Sequence, residues 1–172
     1  MPFSYSQFDH WVGTLVDLLQ PATVLDIGPG AGKYGRIIRA RASQSTFTTH
    51  LTAIEIDASY VDTYKLRDIY DVVTIDDAIS LLKAPRCRYD LVMIGDCIEH
   101  MRKSSAVDLL NFLIYRAGYI CVIYPDRFVQ DGLVGAGRAD EPDRGLPTVG
   151  AHVTSSLFIH AYNDGNRRSR SL

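Results

Sequence analysis

TVLDIGPGAGKYG, residues 23–35, decides the fold. Its first five residues, Thr23 to Ile27, form a short apolar run that reads as a buried strand. Three glycines then alternate at Gly28, Gly30 and Gly32 and turn the chain. The continuation, KYGRIIRARA, places Tyr34, Ile37 and Ile38 on one side of a helix. A strand, a glycine turn and a helix in succession open a βαβ unit. One feature is unusual for a turn that cradles phosphate: a carboxylate, Asp26, interrupts the apolar run just before the first glycine.

The alternation continues outward. Upstream, Phe8, Trp11, Val12, Leu15, Leu18 and Leu19 recur at helical spacing, Ser6 and Asp9 resemble a capping box, and Pro21 stops the helix. Downstream, HLTAIEI reads as a second strand, SYVDTYKLRD as a helix, YDVVTI as a third strand and DAISLLKA as a short helix closed by Pro85. YDLVMIG follows as a fourth strand. SSAVDLLNFLIYRAG reads as a helix with a serine cap and Gly118 as its stop, and YICVIYP as a fifth strand ended by Pro125. Strands alternating with helices, each strand nearly continuously apolar, predict a doubly wound α/β domain with a mainly parallel sheet and helices on both faces.

Beyond Pro125 the composition changes. Residues 126–150 are rich in Gly, Pro and Asp and read as a lid-like loop; HVTSSLFIHAY fits a helix or a strand; residues 161–172 read as a disordered, basic tail. Residues 1–160 are therefore read as one domain.

Composition narrows the function classes. The chain has 172 residues, enough for one domain with a full core. Eighteen Lys and Arg against twenty Asp and Glu give a net charge of −2, which carries no sign of a strong nucleic-acid field. Three dispersed cysteines, Cys87, Cys97 and Cys121, argue against a disulfide framework and against a zinc site, so no metal is expected. The N-terminal stretch lacks the basic and apolar regions of a signal peptide, and no apolar run is long enough to span a membrane. A cytoplasmic location is the expectation.

The acids of interest fall at strand ends: Asp26, Glu55 with Asp57 just beyond, Asp77, and then Asp96, Glu99 and His100. In an open α/β sheet these ends line one crevice. A dinucleotide fits poorly, because the third glycine comes one residue early, Lys33 stands in its place, and Asp26 would repel a pyrophosphate. A P-loop lacks its Gly-Lys-Ser/Thr. A nucleoside with a positive substituent and no phosphate, such as S-adenosylmethionine, turns the carboxylate into an asset. Glu55 can then accept the ribose hydroxyls, Asp77 can accept from the adenine amino group, and Ala78 and Ile79 offer backbone and apolar contact.

VLDIGPGAGKYG, AIEID, DDA and YDLVMIGDCIEHM, in this order and spacing, resemble the class I S-adenosylmethionine-dependent methyltransferases over about Thr23 to Pro125. The resemblance implies strand order 3-2-1-4-5 and S-adenosylmethionine as cofactor. It carries Asp26, Gly28, Gly30 and Gly32 to the methionine and sulfonium side, Glu55 to the ribose and Asp77 to the adenine. DCIEH resembles the family's fourth motif and places Asp96 near the methyl group and the acceptor. Family members usually add two strands beside the fifth; here the C-terminal hairpin reads as reduced. The fifth-strand edge would then need cover from the loop, from a shortened strand or from a second copy in a homodimer.

The catalytic candidates are Asp96 and His100, whose imidazole suits proton removal near neutrality. Plainer roles stand beside these. Asp57 suits a helix cap, Asp77 can cap as well as bind, Asp90 lies at the wrong end of its strand and reads as structural, and His100 can simply pack. The Asn/Asp-Pro-Pro-Tyr motif of amino-methylating DNA enzymes is missing after the fourth strand, where GDCIEH stands. Nucleic acid is thus disfavoured as acceptor, and small molecules, lipids or glycans lead. The alternative is a non-catalytic subunit that binds S-adenosylmethionine or S-adenosylhomocysteine. His152, after the loop, bears only a weak likeness to small-molecule methyltransferase sites.

Overall fold

The computed structural model describes residues 6–83, 87–125 and 155–161. The stretch that opens the sequence argument forms the centre of the sheet. Strand β1 (Thr23–Ile27) lies between β2 (His50–Glu55) and β4 (Tyr89–Gly95), parallel to both, with Asp26 beside Ala53 on one side and Met93 on the other. The remaining strands are β3 (Val72–Ile75), β5 (Ala117–Pro125) and β6 (Ser155–Ala161), and the sheet order is β3-β2-β1-β4-β5-β6. The chain moves outward from β1 through β2 to β3, then returns to the other side of β1 at β4. That reversal opens a crevice at the carboxyl ends of β1 and β4.

The helices are α1 (Asp9–Leu19), α2 (Lys33–Ser45), α3 (Ala58–Thr63) and α4 (Lys103–Ile114). Alternate residues of each strand feed two cores. On one face Val24, Leu51, Leu91, Met93 and Cys121 pack with Val12 and Val16 of α1 and Tyr34 and Ile38 of α2. On the other, Leu25, Ile27, Ile54, Val92, Ile94 and Val122 pack with Leu109 and Leu113 of α4. Burial on both faces explains why the central strands are continuously apolar. At the amino end of the sheet, Asp90 Oδ2 accepts from the Thr23 backbone N–H at 2.9 Å and its hydroxyl at 3.1 Å, which ties β4 to β1.

Several local expectations are corrected. The Ser6–Asp9 capping box does not form: a 3-10 turn spans Ser6–Phe8, Phe8 caps α1 without a side-chain bond, and Asp9 pairs with Lys33 Nζ at 2.6 Å. The ion pair across α1 and α2 takes the carboxylate that the box needed. The expected helix after β3 is a 3-10 helix, Ala78–Lys83. At α4 the cap position belongs to Arg102, with no serine cap, and the helix ends at Ile114 rather than running to Gly118. Its last turns give way because the Arg116 carbonyl accepts from the Tyr89 N–H at 2.9 Å, so the chain is already joining the sheet.

The ambiguous stretch near the C-terminus is a strand. β6 runs antiparallel along β5, from Tyr119 opposite Ala161 to Pro125 opposite Ser155. The shortened-strand alternative is thus the one found. The fifth-strand edge proposed for a homodimer is paired within the chain and is not open to a second copy. β6 reaches Ala161, one residue into the stretch read as tail. The loop 126–150, His152 and residues 162–172 lie outside the described residues. Among the described residues no helix is long and apolar enough to cross a membrane.

Candidate functional site

The glycine turn is built from left-handed backbone, with φ of 66° at Gly28, 51° at Gly30 and 75° at Gly32. Two of these positions also lack room for a side chain. A Cβ on Gly28 would stand 2.5 Å from Cys97 Sγ, and one on Gly32 would stand 2.7 Å from the Ile69 side chain. Hydrogen bonds to neighbouring segments hold the turn. Gly28 N–H donates to the Ile54 carbonyl at 2.9 Å, Gly30 N–H donates to Glu55 Oε2 at 3.1 Å, and the Arg36 guanidinium donates to the carbonyls of Ala31 and Tyr64.

Glu55 closes β2 and is almost wholly buried. Its second oxygen, Oε1, accepts from the Asp57 N–H at 3.0 Å. A carboxylate has about four acceptor sites, so each oxygen retains one for a ligand. Asp57 caps α3 by accepting from Ser59 N–H, as its position in the sequence suggests. Asp77 likewise caps, accepting from Ile79 N–H at 3.0 Å.

Asp26 occupies an unexpected place. It is 1% exposed, and Oδ2 accepts from the Tyr70 hydroxyl at 2.5 Å, while Oδ1 has no hydrogen-bond partner. The carboxyl therefore lies beneath the turn rather than at its mouth. Burial, offset in part by the Tyr70 hydrogen bond and reinforced by Glu55, pushes its pKa up to about 7.

Beyond the turn a cleft of about 530 Å³ opens. One side is formed by Ile27, Gly28, Ile54, Ile56 and residues 76–79, the other by Cys97, residues 100–102 and Ser105. Of the residues singled out from sequence, Gly28, Asp77, Ala78, Ile79 and His100 line it. Asp26, Gly30, Gly32, Glu55 and Asp96 do not; they stand behind or beside the lining. Asp96 has left-handed backbone, with φ of 47°, and its N–H donates to the Ile123 carbonyl at 2.8 Å. His100 is half exposed, with Nε2 4.0 Å from Glu99 Oε1, and burial lowers its pKa.

Three contributors escaped the sequence reading. Ile56 is 69% exposed on the cleft wall, between the two acids that drew attention. Cys97 sits inside the DCIEH motif. Its thiol is pushed up to about 12, first by burial and then by Glu99, Glu55, Asp26 and Asp77. Tyr70 is 44 residues from Asp26, and no local pattern announces their pairing.

No family model matches the sequence, and no curated protein matches it. Solved structures do share its architecture. The N-terminal domain of EvdMO1, solved in the presence of S-adenosylhomocysteine and D-fucose, aligns with a TM-score of 0.56 at 16% identity over 74% of this chain and 55% of that one. The fold is that of the class I S-adenosylmethionine-dependent methyltransferases. An S-adenosylmethionine-dependent methyltransferase from Archaeoglobus fulgidus aligns at 0.51 with 21% identity, over 68% of this chain and 53% of that one. The plantazolicin methyltransferase BpumL, in complex with a monoazolic desmethyl analogue and S-adenosylhomocysteine, aligns at 0.54 with 19% identity, over 69% and 49%. The chain spans about half the length of these proteins. The class I fold carries the strand order 3-2-1-4-5 expected from the motifs, with β6 added beside β5.

Proposed function

We propose that this chain binds S-adenosylmethionine in the cleft beyond β1 and β2 and transfers its methyl group to a small acceptor. The observation that carries the reading is the sign of charge at the glycine turn. Glu99, Glu55 and Asp77 act together on the Cys97 thiol that closes over Gly28, and Asp26 joins them once it ionises. A pyrophosphate would be repelled there, and a cationic nucleoside attracted. The residues also fit the cofactor sterically: a turn without Cβ atoms permits close approach of backbone, and the buried Asp26 Oδ1 has no protein partner.

In this reading Glu55 accepts the ribose hydroxyls while keeping its backbone donors, Asp77 accepts from the adenine amino group, and Ala78 with the exposed Ile56 gives the base apolar contact. Bound there, the cofactor supplies a methyl group on a sulfonium, which is a good leaving group. The protein's part is then orientation and exclusion of water. Asp96 and His100 stand on the β4 side for the acceptor. The depressed His100 imidazole is neutral at pH 7 and able to take a proton from an acceptor that must lose one. Small molecules, lipids or glycans suit the site better than nucleic acid, given the near-neutral net charge. A cytoplasmic location fits the three free cysteines.

Calorimetric titration with S-adenosylmethionine and with NAD, followed by transfer of labelled methyl to a panel of small hydroxyl, amine and carboxyl acceptors, tests this. Binding of S-adenosylmethionine with turnover is expected. Binding of NAD alone would overturn the reading. Binding of S-adenosylmethionine without turnover on any acceptor would establish the regulatory alternative.

A further inference from the structure

Most buried acids in a folded protein have a cationic partner or several donors. Among the described residues Asp26 has one donor, the Tyr70 hydroxyl, and no cation. Its surroundings are acidic or neutral from every side that packs on it. Glu55 comes from the end of β2, Cys97 from the segment after β4, and Cys121 from β5. Arg36 of α2 acts on Tyr70, but its guanidinium is committed to the carbonyls of Ala31 and Tyr64. Tyr70 is itself buried, and its ring fills the space a Cβ on Gly35 would take, 2.4 Å from its hydroxyl. The hydroxyl is thus fixed in place by the first turns of α2. Asp26 precedes Ile27 and Gly28, both of which line the cleft.

A charged carboxylate so placed, with Oδ1 unpartnered, is costly without a positive charge nearby. We infer that Asp26 is a protonated acid in the ligand-free protein and gives up its proton when a cationic adenosyl ligand binds above it, with Tyr70 as the positioning residue that sets the balance. The inference rests on the proposed function for its ligand. On binding, the carboxylic O–H bond breaks, the electron pair stays on the carboxylate, and the proton leaves to solvent. Tyr70 keeps its own proton and donates to the carboxylate throughout. The pKa of about 7 in the free protein agrees.

The sign of the linkage follows. Binding favours the ionised form, so affinity falls as pH drops below about 7, by up to about tenfold per unit. Above that value it levels off. The Tyr70 hydrogen bond favours the ionised form, so its removal moves the midpoint upward.

The experiment is calorimetry with S-adenosylmethionine and with S-adenosylhomocysteine, at pH 6 and pH 8, in buffers of different ionisation enthalpy. At pH 6 the ligand's amino group is already protonated, and release of close to one proton per ligand is expected from the wild-type protein, with little at pH 8. Asp26→Asn should abolish the release at pH 6. Tyr70→Phe, which retains the ring against Gly35, should extend the release to pH 8; a purely structural tyrosine would lower stability without moving this midpoint. No proton release by the wild type at pH 6, or equal release by Asp26→Asn, would overturn the inference. An unchanged pH dependence in Tyr70→Phe would remove Tyr70 from it.

Infrared spectroscopy of the free protein gives an arm that needs no ligand. A protonated-carboxyl band at pH 6 that disappears in Asp26→Asn is expected, and its absence would overturn the claim for the empty site. Failure of both ligands to bind would instead overturn the proposed function, with this band still reporting on Asp26.

Discussion

Glu55 Oε2 accepts a hydrogen bond from the Gly30 N–H at 3.1 Å, so the acid that closes β2 also braces the glycine turn after β1. The side chain therefore has two duties, one to the fold and one to the proposed ribose. Glu55→Ala would leave the N–H groups of Gly30 and Asp57 without their partner. A loss of about 1–3 kcal/mol of stability is expected in the ligand-free protein, measured by urea unfolding. Cofactor affinity should fall in addition, by an amount on the order of 1.5–3 kcal/mol for hydrogen bonds to a charged acceptor. Unchanged affinity in the folded fraction would remove Glu55 from the ribose.

Gly95 and Tyr34 share one space. A Cβ on Gly95 would lie 2.1 Å from the Tyr34 ring, which is buried against the end of β4. Gly95→Ala should cost about 1–3 kcal/mol through overpacking. Combined with Tyr34→Leu, the two changes should be non-additive by roughly 0.5–3 kcal/mol in a double-mutant cycle. Additive effects would show that the contact is not what excludes a side chain at position 95.

The buried Asp26 predicts an unusual pH dependence of stability. Its folded pKa, about 7, stands above the ordinary value of 3.8 for an aspartate. Between these values the native state holds a proton that the unfolded chain has lost. The Asp26 contribution to stability is thus fully present below about pH 4 and is lost as pH rises through 7, at about 1.4 kcal/mol per unit at most. Asp71 has a lowered pKa and works with the opposite sign, at more acidic pH. In the free protein, Asp26→Asn should be more stable than wild type at pH 8, with the advantage shrinking toward pH 5. Denaturant titrations at the two pH values check it.

The cysteines should differ in reactivity. Burial first, and then neighbouring carboxylates, push Cys97 and Cys121 up to about 12, so both remain thiols at pH 8. Both should resist iodoacetamide in the native protein and label fully in denaturant. Peptide mapping after timed labelling reads this directly. Rapid native labelling of Cys97 would mean that its thiol is not enclosed at Gly28.

Along the chain, the order of strands and helices was legible because period and punctuation are local. Five apolar runs, separated by turns and amphipathic stretches, allow few arrangements once right-handed parallel crossovers are imposed. The positions of the acids at strand ends were legible for the same reason, since strand direction places every carboxyl end on one side. Capping was less legible. Asp57 and Asp77 cap as their positions suggest, but Asp9 is drawn to Lys33, and the Arg116 carbonyl is drawn into the sheet.

The sequence by itself determined the succession of strands and helices, the glycine turn and the set of strand-end acids, and the family resemblance implied the order of the first five strands in the sheet. Only the tertiary structure decided what each acid faces. β6 against β5 depends on pairing between residues thirty or more apart in sequence, which no local pattern encodes. The neutral tendency of Asp26 is also a tertiary property. It arises because separate segments pack around one dry carboxyl and bring Glu55 near it, against the opposing hydrogen bond from Tyr70, and desolvation exists only once those segments have packed.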